Sequence, residues 1–390
     1  MGFETPSLDD LGPELVAQTY DPETDTRGIV VVDNTSLGPA GGGARMAPDV
    51  TVGEVARLAR AMTYKFGIIG FPRGGCKSGI VDHPGVRPEI KAAKMRAFGR
   101  AVRPLLVDGT VAIGPDMGIT VNDVSDIYAG AGVTPLRSGL FARMHEGDPS
   151  GYHFTGFGVA KALQVAGEIS ARPLTKLTVA LEGFGQVGVG TARYVTRAGG
   201  KLVAVSTALG ALYDERGIDF EKLNTLRREV GDRCVLSYEG GERIAPSSIY
   251  FLPVDAMIPG ARPDVITSEN VGRVQAKIVV SAGNVTITDD AQELLHQRGV
   301  LVVPDSVASA GAAIASWVDF FSGTVEQGLG AIDRILTETA RQVLRESQRR
   351  GVSARRVVMD LVRERIVAAR GQTAKSFEQT KAEIGEILGL

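Results

Sequence analysis

"LTVALEGFGQVGVGTARYV", residues 177–195, decides how the chain is read. A short apolar run ends at Glu182. Gly183, Phe184, Gly185, Gln186, Val187 and Gly188 follow as G-x-G-x-x-G, and a helical pattern opens at residue 187. Alone the pattern is weak, because a glycine turn in any other α/β protein can produce it. A strand before it and a helix after it supply the required context. The first glycine allows the tight turn and the second lets the backbone approach a pyrophosphate. The third lets helix and strand pack closely, and the helix N-terminus faces the anion. Outward from this stretch the pattern repeats. A helix is expected over 155–167 and strands over 202–206, 256–258, 278–281 and 301–303, which predicts βαβ units and a parallel sheet.

The chain has 390 residues, which favours two domains over one. Its hydrophobic content of 44% allows large cores. A formal net charge of −2 gives no electrostatic argument for nucleic acid or an anionic membrane. Cys76 and Cys234 are the only cysteines, which excludes a disulfide framework or a cysteine zinc site and suits a reducing compartment. The N-terminus is acidic and lacks an apolar signal core, and no apolar run approaches the ~20 residues of a membrane helix. These features predict a cytoplasmic protein. In the first half, residues 27–34 read as a strand. Residues 51–66 read as a helix opened by a capping box of Thr51 and Glu54. Residues 109–118 read as a buried strand entering a turn. The composition changes over 141–152, which reads as a linker, and 331–390 reads as a charged helical tail.

The residue that binds the adenine ribose is expected about 20 residues after the fingerprint, at the end of the next strand. That position holds Ser206 and Thr207 in place of an acid. A carboxylate repels a 2′-phosphate, whereas hydroxyls can donate to it, so both NAD and NADP remain open.

A second glycine-rich stretch, "GFPRGGCKSGIV" (residues 70–81), lacks P-loop spacing and reads as a loop around Lys77. Lys65 falls on the apolar side of the first helix, and Asp116 sits in the turn "GPDMG". A buried, uncompensated ammonium is costly, so each lysine must be paired or neutral. Internal ion pairs and a catalytic site are both compatible with this set.

"GGGARMAPDVTVGEVARLARAMTYKFGIIGFPRGGCKSGI" resembles the catalytic segment of the glutamate/leucine/phenylalanine/valine dehydrogenases. "GPDMG", "EGFGQVG", "IPGA", "SAGNVTIT" and "VVPDSVASAGAAIASWVDF" resemble their later landmarks, in the same order. The resemblance implies an α/β fold. An N-terminal substrate and oligomerisation domain would cover residues 1–142, with C-terminal helices of about 331–390 packing back on it. A Rossmann-type domain would cover 143–330, with a cleft between the two. It implies NAD(P)-dependent oxidative deamination of an L-amino acid to a 2-oxo acid and ammonia, in a homo-oligomer, with no metal. By the same resemblance Lys65 holds the substrate α-carboxylate, Lys77 is the catalytic lysine and Asp116 the proton-transfer carboxylate. Asn284 lies beside nicotinamide and substrate, and Thr155 near the carboxamide. Such chemistry suits these residues: a desolvated lysine can activate water, and a carboxylate can carry the amine proton.

The substrate side chain is the open point. Glutamate members carry a lysine at the position of Gly41, which precedes Gly42. The other wall positions correspond to Gly114, Ala313 and Ser316. Small residues at 41 and 114 favour an apolar or aromatic amino acid. Ser316 matches a serine of the glutamate members. Arg73 stands where the family carries an apolar or aromatic residue, and is either a replacement cation or a solvated surface arginine. A malic-type oxidoreductase would need a metal-binding carboxylate cluster near Lys77, and none is seen in the sequence. A catalytically retired binding subunit is disfavoured by the presence of the whole set.

Overall fold

The computed structural model describes residues 8–134 and 153–390, so the linker expected at 141–152 lies outside the described residues. Two compact units emerge. One holds residues 8–134 with Trp317–Gly323 and Leu361–Leu390, and the other holds residues 153–316 with Thr324–Asp360.

The first unit is built on a five-stranded sheet in the order β1-β2-β4-β3-β5. These strands are β1 (Leu15–Asp21), β2 (Thr26–Asn34), β3 (Ala40–Ala47), β4 (Gly74–Val81) and β5 (Val111–Pro115). β2 pairs antiparallel with β1 and β4, while β3 runs parallel to β4 and β5. Residues 70–81 were read as a loop, but Lys77 lies on β4, inside the sheet. Glycine has low strand propensity, which hides β3 and β4 from a sequence reading. Here its lack of a side chain serves packing. A Cβ on Gly75 would meet the Thr63 nitrogen at 2.2 Å and the Ala59 oxygen at 2.4 Å, so the helix Val52–Ile68 can lie directly on β4.

That helix starts as expected at Thr51, whose hydroxyl accepts from the Glu54 amide at 3.1 Å. Such a cap is worth about 1 kcal/mol. The expected return half of the capping box is replaced, because the Glu54 carboxylate pairs with Arg45. Val55 and Ala59 bury this face against Ile29 and Val31. The opposite face of the sheet packs Met46, Cys76 and Ile80 against Met95, Phe98, Val124 and Ile127.

The second unit is built on a seven-stranded sheet in the order β12-β11-β10-β6-β7-β8-β9. These are β6 (Thr178–Glu182), β7 (Lys201–Thr207), β8 (Gly210–Tyr213), β9 (Glu242–Ile244), β10 (Ala256–Ile258), β11 (Ile278–Val280) and β12 (Leu301–Val303). β6, β7, β10, β11 and β12 run parallel. β8 and β9 add an antiparallel edge absent from the sequence reading. The strand order reverses between β6 and β10, and ligands of such sheets bind in the crevice beyond the strand ends at this point.

Candidate active site

Three consecutive glycines on β3 form the floor of the site in the first unit. Side chains alternate across a strand, so residues 41, 43 and 45 share one face and 42 and 44 the other. A Cβ on Gly41 would stand 3.0 Å from Nη2 of Arg73, and one on Gly43 would stand 2.8 Å from Cβ of Asp116. Gly42 points the other way, 1.8 Å from the Cys76 carbonyl oxygen by the same construction. Arg73 and Asp116 therefore stand over the same face, at positions two residues apart, roughly 6.6 Å along the strand. Gly114 lies opposite Gly43 on β5 and leaves the floor bare there.

Lys77 shares the register of this face through the pairing of Gly41 with Gly75. Its side chain is 3% exposed, and Nζ donates to Oδ2 of Asp116 at 2.8 Å. Nε of Arg45 donates to the same oxygen at 3.1 Å and continues through its Nη1 to Glu54. Burial pushes the Asp116 carboxyl up, but the charges of Lys77 and Arg45 overcome this and hold it at about 2. The carboxylate is thus ionised. Lys65 is buried in the last turn of the helix Val52–Ile68, next to Phe66. The Phe66 ring reaches within 3.2 Å of the Gly41 Cβ position.

Arg73 is 3% exposed, which removes the alternative of a solvated surface arginine. Its Nη2 donates to the Ala40 carbonyl at 2.9 Å. Its guanidinium carbon lies over the rings of Phe66 at 5.8 Å and Trp317 at 5.3 Å.

The second unit carries the fingerprint as the sequence predicts. Gly183 has φ +86, and Gly188 is bare because a Cβ there would meet the Gly183 oxygen at 1.9 Å. Gly185 and Gln186 are exposed at the start of the helix Gln186–Arg197, and a Cβ on Gly185 would meet nothing within 4 Å. An open, bare helix N-terminus at the strand-order reversal fits a dinucleotide pyrophosphate. Phe184 is buried and Val187 half-buried. Glu182 ties this point together, accepting from the amides of Gly260 (2.9 Å) and Ala261 (3.1 Å) and from the Tyr250 hydroxyl (2.6 Å). Thr207 donates to the Asp232 carbonyl at 2.7 Å, and Ser206 is buried. Arg227 donates to the Phe184 carbonyl at 2.8 Å. Thr155 lies in the first turn of the helix Phe154–Ile169. Asn284 is half-buried and precedes Val285, whose φ of +48 is strained for a β-branched residue. The Asp305 carboxylate holds the Val285 amide at 2.7 Å. Ser316 donates to the Ala313 carbonyl at 2.8 Å.

The sequence reading missed Arg45, Arg227, Trp317 and Asp305. Arg45 was within reach: once "GGGAR" is read as a strand, an arginine two residues beyond Gly43 faces Asp116. Among the described residues no cluster of acidic, histidine or cysteine side chains could hold a metal. No helix among them is long and apolar enough to cross a membrane.

The chain matches two family models. Residues 14–129 match "Glu/Leu/Phe/Val dehydrogenase, dimerisation domain", and residues 147–375 match "Glutamate/Leucine/Phenylalanine/Valine dehydrogenase". It is 34% identical over 332 residues to a glutamate dehydrogenase of Aeropyrum pernix, covering 80% of this chain and 77% of that protein. It is 32% identical over 361 residues to one of Thermotoga maritima, covering 88% and 85%. A crystal structure of the hetero-hexameric glutamate dehydrogenase of Thermus thermophilus, leucine-bound, superposes with a TM-score of 0.81 at 25% identity, covering 92% and 89%. The L-tryptophan dehydrogenase of Nostoc punctiforme shares the fold, with a TM-score of 0.65 at 24% identity over 93% and 98%.

Proposed function

The chain belongs to the glutamate/leucine/phenylalanine/valine dehydrogenase family, and on that premise we propose that it oxidatively deaminates an L-amino acid with an acidic side chain, glutamate first. The observation that carries this reading is the buried guanidinium of Arg73 over Gly41, on the strand face that also carries Asp116. A substrate whose reacting carbon lies beside Lys77 and Asp116 extends its side chain along the glycine floor. A carboxylate two methylenes away meets Arg73, which takes the part of the lysine absent at residue 41. Ser316 is the second candidate contact for that carboxylate.

Gly183, Gly185, Gly188, Thr155 and Asn284 hold NAD or NADP, which supplies the two-electron acceptor when bound. Lys65 binds the α-carboxylate and fixes the orientation of the α-carbon. Asp116, ionised, takes a proton from the substrate ammonium. Lys77, bonded to the same carboxylate, activates the water that replaces nitrogen. Arg45 keeps Asp116 in place and ionised. The N-terminal unit is the substrate domain in this reading, and the enzyme is a cytoplasmic homo-oligomer.

A second reading keeps an apolar or aromatic substrate. What favours it is the pair of rings, Phe66 and Trp317, that flank the guanidinium, together with the bare positions 41 and 114. The deciding measurement is kcat/KM for glutamate, leucine and phenylalanine, with NAD and NADP, in the wild type and in Arg73→Met. Glutamate is expected to lead and to fall by about a hundredfold or more in the variant, because a buried carboxylate left unpaired costs about 3–5 kcal/mol. An apolar amino acid leading in both proteins overturns the acidic reading.

A further inference from the structure

Arg73 does not hold its position alone. Trp317 places its ring against the guanidinium and stacks on Phe377 at 6.1 Å between centroids and 28° between planes. Phe320 closes the cluster, 5.2 Å from Trp317 and 5.8 Å from Phe377. Phe377 opens the last helix, Phe377–Leu388. One turn on, Thr380 is fully buried and donates to the Pro72 carbonyl at 3.4 Å, one residue before Arg73. The same hydroxyl lies 3.1 Å from the position of a Cβ on Gly38, two residues before the carbonyl that receives Arg73. A single short helix thus touches the ring that meets the guanidinium and both backbone segments that frame it.

From this geometry we infer that the C-terminal helix Phe377–Leu388 is a specificity element: acting through Trp317, it presets Arg73 for a carboxylate side chain. The inference rests on the acidic-substrate reading. Arginine normally spends considerable rotamer freedom on binding. Rings on the guanidinium restrain it, keep water away and leave its N–H groups fixed for the planar carboxylate. Phe377 and Thr380 are positioning residues here, because each acts through Arg73 or its backbone and neither is required to touch substrate.

The test uses the full chain, in which Trp317 is the single tryptophan and its emission reports on this site alone. Wild type, Phe377→Leu, Phe377→Tyr and Arg73→Met are titrated with glutarate, a five-carbon dicarboxylate, and with butyrate as the monocarboxylate control. Kinetics with glutamate and leucine follow at saturating cofactor, alongside Tm and the KM for cofactor. Glutarate is expected to change Trp317 emission in the wild type, and butyrate is not. Phe377→Leu is expected to raise the glutamate KM and the glutarate midpoint about tenfold, because Trp317 loses the ring that holds it against the guanidinium. Its kcat, leucine kcat/KM, cofactor KM and Tm stay near wild type, and Phe377→Tyr recovers the glutamate KM. The proposal is overturned if Phe377→Leu leaves the glutamate KM unchanged, or lowers kcat/KM for both amino acids alike with a falling Tm. The two readings separate cleanly. Loss of glutamate preference in Arg73→Met but not in Phe377→Leu sinks the helix as a specificity element and keeps the anchor. Retained preference in Arg73→Met with a silent glutarate titration sinks the anchor, and with it the role of the helix.

Discussion

The guanidinium of Arg73 fills the space that a side chain on Gly41 would need, with Nη2 3.0 Å and Nε 3.2 Å from the missing Cβ. The two positions therefore compete for one space: a side chain rooted on β3 at residue 41 requires the Arg73 guanidinium to shift. Gly41→Lys by itself should collide with Arg73 and lower kcat/KM for glutamate by more than tenfold, since overpacking a buried site costs about 1–3 kcal/mol. Combined with Arg73→Met, the lysine gains room and restores a cation. The double variant should recover most of the loss, a non-additivity that marks two residues sharing one space. Steady-state kinetics on the three variants measure it. A double variant no better than Arg73→Met shows that the cation cannot be moved between the strands.

Arg45 makes the second prediction, on pH. Asp116 has a folded value of about 2 against an ordinary 3.8, burial opposing and the charges of Lys77 and Arg45 prevailing. A lowered value means the ionised form is preferred in the fold. The stabilisation, about 2 kcal/mol, is complete above pH 4–5 and is lost as pH falls through 2. Arg45→Gln removes one of the two cations on Oδ2. The acid limb of kcat/KM should then move to higher pH, while Arg45→Lys returns it towards the wild-type position. Lys77→Ala, which removes the other cation and the group assigned to the attacking water, should lose at least ~10²–10⁴-fold in kcat. An acid limb that stays in place in Arg45→Gln counts against Arg45 as the group that keeps Asp116 ionised.

The Rossmann-type unit was legible because its signals are local. The apolar run before Gly183, the glycine spacing and the helix after it stand within one short stretch, and the chain folds them where they stand. The first unit was legible only by resemblance. Its strands β3 and β4 are glycine-rich because a helix and two charged side chains approach them closely, and that composition reads as loop in isolation. Lys77 and Asp116 were named together with Lys65 as one charged set, without the pairing. Arg45 was not, because its reason appears only when residues 40–47 are known to be a strand and its face can be counted. Arg73 could not be assigned from the sequence: its burial depends on Trp317 and Phe66, far apart in the chain. The missing half of the Thr51–Glu54 box is the same lesson in miniature, since a distant arginine outcompetes a local amide for the Glu54 carboxylate.

Cofactor choice turns on the end of β7, where the sequence offers hydroxyls in place of an acid. Thr207 spends its proton on the Asp232 carbonyl and receives the Leu209 amide at 3.3 Å, and Ser206 is 2% exposed. Arg227 is a cation tied to the same Asp232. Its Nε is fixed to the Phe184 carbonyl within the fingerprint, and its Nη2 lies 3.3 Å from the Asp232 carboxylate with the side chain 31% exposed. A 2′-phosphate brought to the end of β7 can draw this guanidinium from Asp232, whereas a 2′-hydroxyl can donate to Asp232 itself. Use of both cofactors is the expected result for the wild type. Arg227→Ala should raise the KM for NADP about tenfold and that for NAD far less, since a charge-assisted hydrogen bond contributes about 1.5–3 kcal/mol. Thr207→Asp should move preference towards NAD, because a carboxylate at the strand end repels the phosphate and accepts from the hydroxyl. Initial rates with each cofactor at saturating amino acid decide it. A wild type that takes NAD very much more tightly than NADP, with Arg227→Ala changing neither KM, would leave Asp232 as the ribose ligand and Arg227 as a brace for the glycine loop.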